Sequence, residues 1–221
     1  MKYCTLPLLM TASLLAIPAS VQANPDISKV FSGDMLGTNL RYFESIAGIA
    51  RESWGDEHHY VVNGCAVRAT VGGDRVHTLR MEVGPECQVD LTSFIGESFA
   101  PPANQPLTFG TFTQAAGEPG FYADCLISCG NASDPTIYAH WEGPRAANFL
   151  EVVLEAMLIE DDAIQASNKW SDAMTKGHGE DWVMMTGFNC DRTYDEYAQQ
   201  YFSSIKVSAV TIGHELYKPG C

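Results

Sequence analysis

The chain has 221 residues, 46 % of them hydrophobic, and carries 13 Lys+Arg against 27 Asp+Glu for a formal charge of −14. An acidic surface of this kind repels nucleic acid phosphates and anionic bilayers, which argues against both as partners and favours a cationic protein. The length suits one domain.

The first residues read as an export signal. Lys2 supplies a positive start, residues 6–17 form an apolar run, and Val21-Gln22-Ala23 offers small residues for processing. The run is broken by Pro7 and Pro18 and is shorter than the roughly 20 residues needed to span a bilayer. Cleavage after Ala23 is expected, giving a periplasmic or secreted chain with no membrane insertion. Loss of 23 residues leaves 198, a single domain at 24–221, with 24–100 and 107–221 as two intertwined lobes in the alternative division. Cys4 leaves with the signal, so Cys65, Cys87, Cys125, Cys129, Cys190 and Cys221 remain. An even count in an oxidising compartment predicts disulfides, and neighbour pairing gives Cys65–Cys87, Cys125–Cys129 and Cys190–Cys221.

Thr38 or Asn39 caps an amphipathic helix predicted to run to about Ser53, with Leu40, Phe43, Ile46, Ala47 and Ala50 on one side. From Tyr60 to Val83 the period changes to two. Val61, Cys65, Val67, Ala69 and Val71 share one side, and Leu79, Met81 and Val83 share it on the return strand. Both sets are odd-numbered, so an odd loop, residues 72–74, is expected, with Val71 opposite Arg75. Pro101, Pro102 and Pro106 mark the best lobe boundary. Residues 107–113 and 121–128 read as a second hairpin and 136–141 as a strand. Helix is predicted from Arg145 through Leu158, and again from Asp161 or Asp162 to Gly177. A strand at 182–188, a helix at about 194–204 and a strand at 207–216 complete an α+β pattern with mainly antiparallel sheet, an N-terminal helix and about three helices in the C-terminal half. Tyr194, Tyr197 and Tyr201 make a helical stripe that reads as core.

The densest polar cluster runs from Asn131 to Arg145. It could present Asn131, Asp134, His140, Trp141, Glu142 and Arg145 on one rim, although Asn131 and Asp134 also suit ordinary turns, Gly143-Pro144 a helix start and Arg145 an ion pair with an acidic neighbour. His178 with Glu180 and Asp181 has the ingredients of a metal or acid–base site, but flanking glycines leave its geometry open. His58 and His59 are adjacent on a strand and diverge. Gly96-Glu97-Ser98-Phe99-Ala100 misses the nucleophile elbow by its last residue, and no phosphate loop follows Gly72-Gly73. No cofactor, metal or catalytic motif is expected. The leading reading is an exported macromolecule-binding, inhibitor or accessory module, not an enzyme; the alternative is an envelope hydrolase with dispersed catalytic groups.

Overall fold

The computed structural model describes residues 26–126, 134–147, 149–185, 188–216, 218 and 221. The predicted export signal and processing site, Cys129 and Asn131 lie outside the described residues.

The first half of the chain builds four strands behind a short helix. Helix α1 (Ile27–Val30) is capped by Asp26, whose carboxylate accepts the Ser28 N–H. Helix α2 (Leu40–Ala47) starts at Asn39, whose side-chain oxygen accepts the Arg41 N–H, and stops at Gly48 with φ 87°. That left-handed glycine ends the helix well before Ser53, and residues 52–54 instead form strand β1 (Glu52–Trp54). Strands β2 (Glu57–Val62), β3 (Cys65–Gly72) and β4 (Arg75–Glu82) follow. Asn63 (φ 51°) and Gly64 (φ 88°) make a tight turn, so the one strand expected across residues 60–71 is two. Tyr60 and Val62 are therefore buried and Val61 is exposed. The second turn is also shorter than expected, with Gly72 opposite Arg75. A bulge between Thr70 and Val71 restores the even register, so Val67 faces Met81 and Ala69 faces Leu79.

The second half departs more from expectation. After α3 (Thr92–Ile95), residues 109–116 form helix α4 (Phe109–Ala116), not a strand. Thr108 and Thr111 exchange capping bonds, and Phe109 and Phe112, three apart, are both buried. Strands β5 (Gly120–Ala123) and β6 (Thr136–Glu142) precede β7 (Glu151–Met157), which replaces the helix predicted from Arg145. Val152, Leu154 and Ala156 bury alternately against the core, the period of a strand. Helix α5 (Asp161–His178) buries Trp170 and Met174 as expected, whereas 180–185 is helix α6 (Glu180–Met185) where a strand was predicted. Helix α7 (Asp195–Phe202) and strand β8 (Ala209–Gly213) close the fold. The tyrosine stripe of α7 is only partly core: Tyr194 is buried and Tyr197 is exposed, while Ala198 and Phe202 make the inner face.

The eight strands of the described residues form one antiparallel sheet in the order β1-β2-β3-β4-β8-β7-β6-β5, so the α+β, mainly antiparallel class read from the sequence is the observed one. Tyr60, Val67, Met81, Val210, Leu154, Ala139 and Phe121 form a directly paired row on the core face. Helical side chains such as Phe43, Phe112, Trp170 and Phe202 pack with them in one cluster. Disulfides join Cys65 to Cys87 and Cys190 to Cys221. Cys125 is also disulfide-bonded.

The topology repeats about a pseudo-two-fold axis. In the first unit, Leu40 N–H donates to Asp74 and Val76 N–H to Thr38; in the second, Phe109 N–H donates to Ile205 and Val207 N–H to Leu107. The bridges Asn39↔Arg75 and Thr108↔Lys206 occupy the same places. The units meet where β4 pairs with β8. Leu79↔Ile212 and Met81↔Val210 exchange under this correspondence, so the axis passes through the Arg80↔Thr211 pair. Only Phe43/Phe112, Ala47/Ala116 and Gly48/Gly117 match in sequence between the two helices, which explains why no repeat is visible in the chain.

Candidate functional site

The face of the sheet opposite the core carries one transverse row across all eight strands: Glu52, His59, Arg68, Arg80, Thr211, Val153, His140 and Gly120. The pseudo-two-fold places His59 opposite His140. Each histidine has an aromatic neighbour on the adjoining edge strand, Trp54 at 5.4 Å from His59 and Tyr122 at 6.2 Å from His140, measured between ring centroids.

At the centre, Arg80 forms a bidentate pair with Glu155, Nε to Oε1 and Nη2 to Oε2, both 2.8 Å. Thr211 Oγ1 donates to the same carboxylate at 3.2 Å. Burial works against the Arg80 charge, but the Glu155 carboxylate outweighs it and holds the guanidinium protonated. A cleft of about 420 Å³ opens beside this pair, lined by Arg68, Thr70, Thr78, Tyr138 and Val153 among others. Burial, with the charges of Asp124 and Glu155, pushes the Tyr138 phenol up to about 12, so it stays a neutral hydroxyl.

The two halves of this face differ in what lies over them. Over the second unit the C-terminal segment crosses the strands: Glu151 accepts the backbone N–H groups of Glu215 (2.8 Å) and Leu216 (2.9 Å), and Lys218 Nζ donates to Glu142 at 3.1 Å. Glu151 also meets His140 Nε2 at 2.7 Å. Burial lowers the His140 pKa and outweighs the pull of the Glu151 carboxylate in the other direction, so a neutral imidazole donates its Nε2–H. The neighbouring Glu142 carboxyl is held low by its Lys218 hydrogen bond and charge. Over the first unit the described residues show no such anchoring hydrogen bonds; His59 Nε2 and Arg68 Nε have no hydrogen-bond partner among them, and both side chains meet the Glu57 carboxylate at 3.6 and 3.5 Å.

Of the rim proposed from sequence, Asn131 lies outside the described residues, His140 and Glu142 share the open face with their side chains 3.9 Å apart, and the other members are separated. Asp134 and Arg145 flank opposite ends of the seven-residue strand β6, roughly 20 Å apart at the rise of an extended chain. His140 and Trp141 point to opposite faces. Trp141 is 4 % exposed, packs on Phe112 and Phe99, and donates Nε1–H to the Ala116 carbonyl. His178 stacks on Trp182 at 4.2 Å, and no group of three metal-capable side chains occurs among the described residues. The central Arg68, Arg80 and Glu155 were not singled out in the sequence. The first two sit on the polar side of the predicted hairpin, a legible signal, whereas Glu155 lay within a segment read as helix.

No helix among the described residues is long and apolar enough to cross a membrane, and the disulfides are consistent with an oxidising, extracytoplasmic location. No protein-family model matches the chain, and comparison with curated proteins and with solved structures finds no match.

Proposed function

We propose that the protein is an exported, disulfide-braced binding module that engages a protein partner through the open face of its sheet. The observation that carries this reading is the asymmetry of that face. The chain's own C-terminal segment already lies across the second unit, held by Glu151 and Glu142, while in the first unit His59 Nε2 and Arg68 Nε make no hydrogen bond among the described residues and both side chains meet only the half-exposed Glu57 carboxylate, at 3.6 and 3.5 Å. The first half is thus built to receive a chain as the second half does. The acidic field of the molecule, −15 after removal of Lys2 with the signal, steers a partner of net positive charge toward it.

The test compares capture of partners from envelope and medium fractions by immobilised mature protein and two variants, with bound proteins identified by mass spectrometry. Thr78→Trp fills the cleft floor and is expected to abolish capture of any specific partner; Arg145→Ala, at an exposed position in the turn after β6, is expected to leave it intact. Capture unaffected by Thr78→Trp in a folded variant refutes the open face as the binding surface, and loss with Arg145→Ala alone returns the site to the 134–145 segment.

A further inference from the structure

We infer that the cleft running from β3 and β4 across β8 to β7 is a site for the carboxylate group of a ligand, with Arg68 as the residue that receives it. The inference rests on the reading of the open face as the binding surface. Arg68 and Arg80 are direct cross-strand partners, an arrangement in which like charges repel. Glu155 neutralises Arg80 through both of its oxygens. Arg68 has no such counterpart: its nearest carboxylate, Glu57, stands 3.5 Å from Nη1 at a half-exposed position, and its Nε is shielded from solvent with no acceptor among the described residues. A buried N–H left unpaired is costly, so turning the guanidinium toward an acceptor in the cleft is favourable. In that orientation Nε–H and one terminal N–H present the fork that matches a planar carboxylate.

The surroundings select the kind of anion. Thr70 and Thr78, directly paired in the next row, put hydroxyls beside the fork, and Val153 and Leu216 supply apolar wall for the remainder of the ligand. Glu57, Glu155 and Glu215 also line the cleft, so a doubly charged phosphate meets more repulsion than a singly charged carboxylate. The volume, about 420 Å³, suits a small group such as the C-terminal residues of a peptide or a free organic acid.

The experiment follows the Arg68 Nε–H in proton–nitrogen correlation spectra of the mature, oxidised protein. The probes are the tripeptide Ala-Ala-Leu, its C-terminal amide, 4-methylpentanoate and inorganic phosphate. The free-acid tripeptide is expected to shift the Arg68 Nε–H and to bind about tenfold or more tighter than the amide, a difference of about 1.4 kcal/mol. Arg68→Gln is expected to erase that preference, whereas Arg41→Gln on the distant α2 keeps it. Binding of 4-methylpentanoate at equal strength identifies a free acid as sufficient, and binding of the tripeptide alone identifies a peptide terminus; both support the inference. Equal binding of acid and amide, a preference unchanged in folded Arg68→Gln, tighter binding of phosphate, or no response to any probe at millimolar concentration overturns it. Partner capture that still depends on the cleft would then leave the open-face reading standing without its carboxylate site.

Discussion

Replacing Glu155 with Gln tests the central ion pair, and its effect can be reasoned from the geometry. The substitution keeps the side-chain volume but removes the charge opposite Arg80 and turns one acceptor into a donor facing Nη2 or Nε. Losing one partner of a fully buried pair costs about 3–5 kcal/mol. Here the Arg80 side chain keeps 22 % exposure and Glu155 12 %, so water recovers part of the charge and the expected loss is about 2–3 kcal/mol. Repulsion between Arg80 and the directly paired Arg68, no longer offset, acts in the same direction. Urea unfolding of the oxidised protein measures this, and for a domain of this size the melting temperature should fall by roughly 5–10 °C. With the single variants Arg80→Met and Glu155→Leu closing the cycle, the double variant Arg80→Met/Glu155→Leu removes both charges and should recover most of the loss, giving a coupling of at least about 1.5 kcal/mol. A loss below about 1 kcal/mol for Glu155→Gln, or single effects that simply add in the double variant, would refute the claim that this pair organises the centre of the open face.

Trp141→Ala should destabilise by about 3–5 kcal/mol through loss of a buried indole, while exposed Arg145→Ala stays within about 0.5 kcal/mol, both read by urea unfolding. The folded His140 pKa lies below its unfolded value, so the unfolded chain takes up the proton first: stability should be flat above about pH 6.5 and fall as pH drops below it, more steeply than in His140→Gln, as followed by melting temperature. Gly110→Ala would place a Cβ 2.6 Å from the Ser203 carbonyl oxygen and should cost about 1–3 kcal/mol, whereas Gly84→Ala, with open space around it, should be tolerated. Thiol titration of the denatured, unreduced mature protein should find no free cysteine; two or more would sink the bracing of the fold by disulfides.

What was legible in the sequence was legible because its signal was local. The Cys65–Cys87 and Cys190–Cys221 pairs, the Asn39 cap, the α5 burial of Trp170 and Met174 and the strand character of 136–141 all follow from spacing and cap chemistry. The errors arose where two periods compete. Around β7, consecutive apolar residues Val152, Val153 and Leu154 satisfy a helical stripe as well as a strand buried on both sides. Val153 is covered on the open face, where it lines the cleft beside Leu216 from the C-terminal segment, and no local pattern could report that. At α4, alternating Leu107, Phe109, Thr111 and Thr113 imitated a strand, while the reciprocal Thr108–Thr111 caps decided for helix. The site itself was hidden for a topological reason. Arg80 and Glu155 lie 75 positions apart, and only β8, inserted between their strands, brings them onto one face within reach of each other.

That insertion has a consequence for the order in which the molecule can assemble. Among the described residues β8 is the last strand in sequence and the only one bonded to both β4 and β7, so a chain emerging from its N-terminus presents β4 and β7 as raw edges until residues 209–213 follow. Exposed strand edges of this kind recruit other chains. Residues 209–213 therefore act as a fastener that welds the two halves together, and the Cys190–Cys221 bridge ties the chain beyond them back to the second unit. A stop codon a few residues before β8 would release two sticky half-sheets in place of a slightly shortened protein.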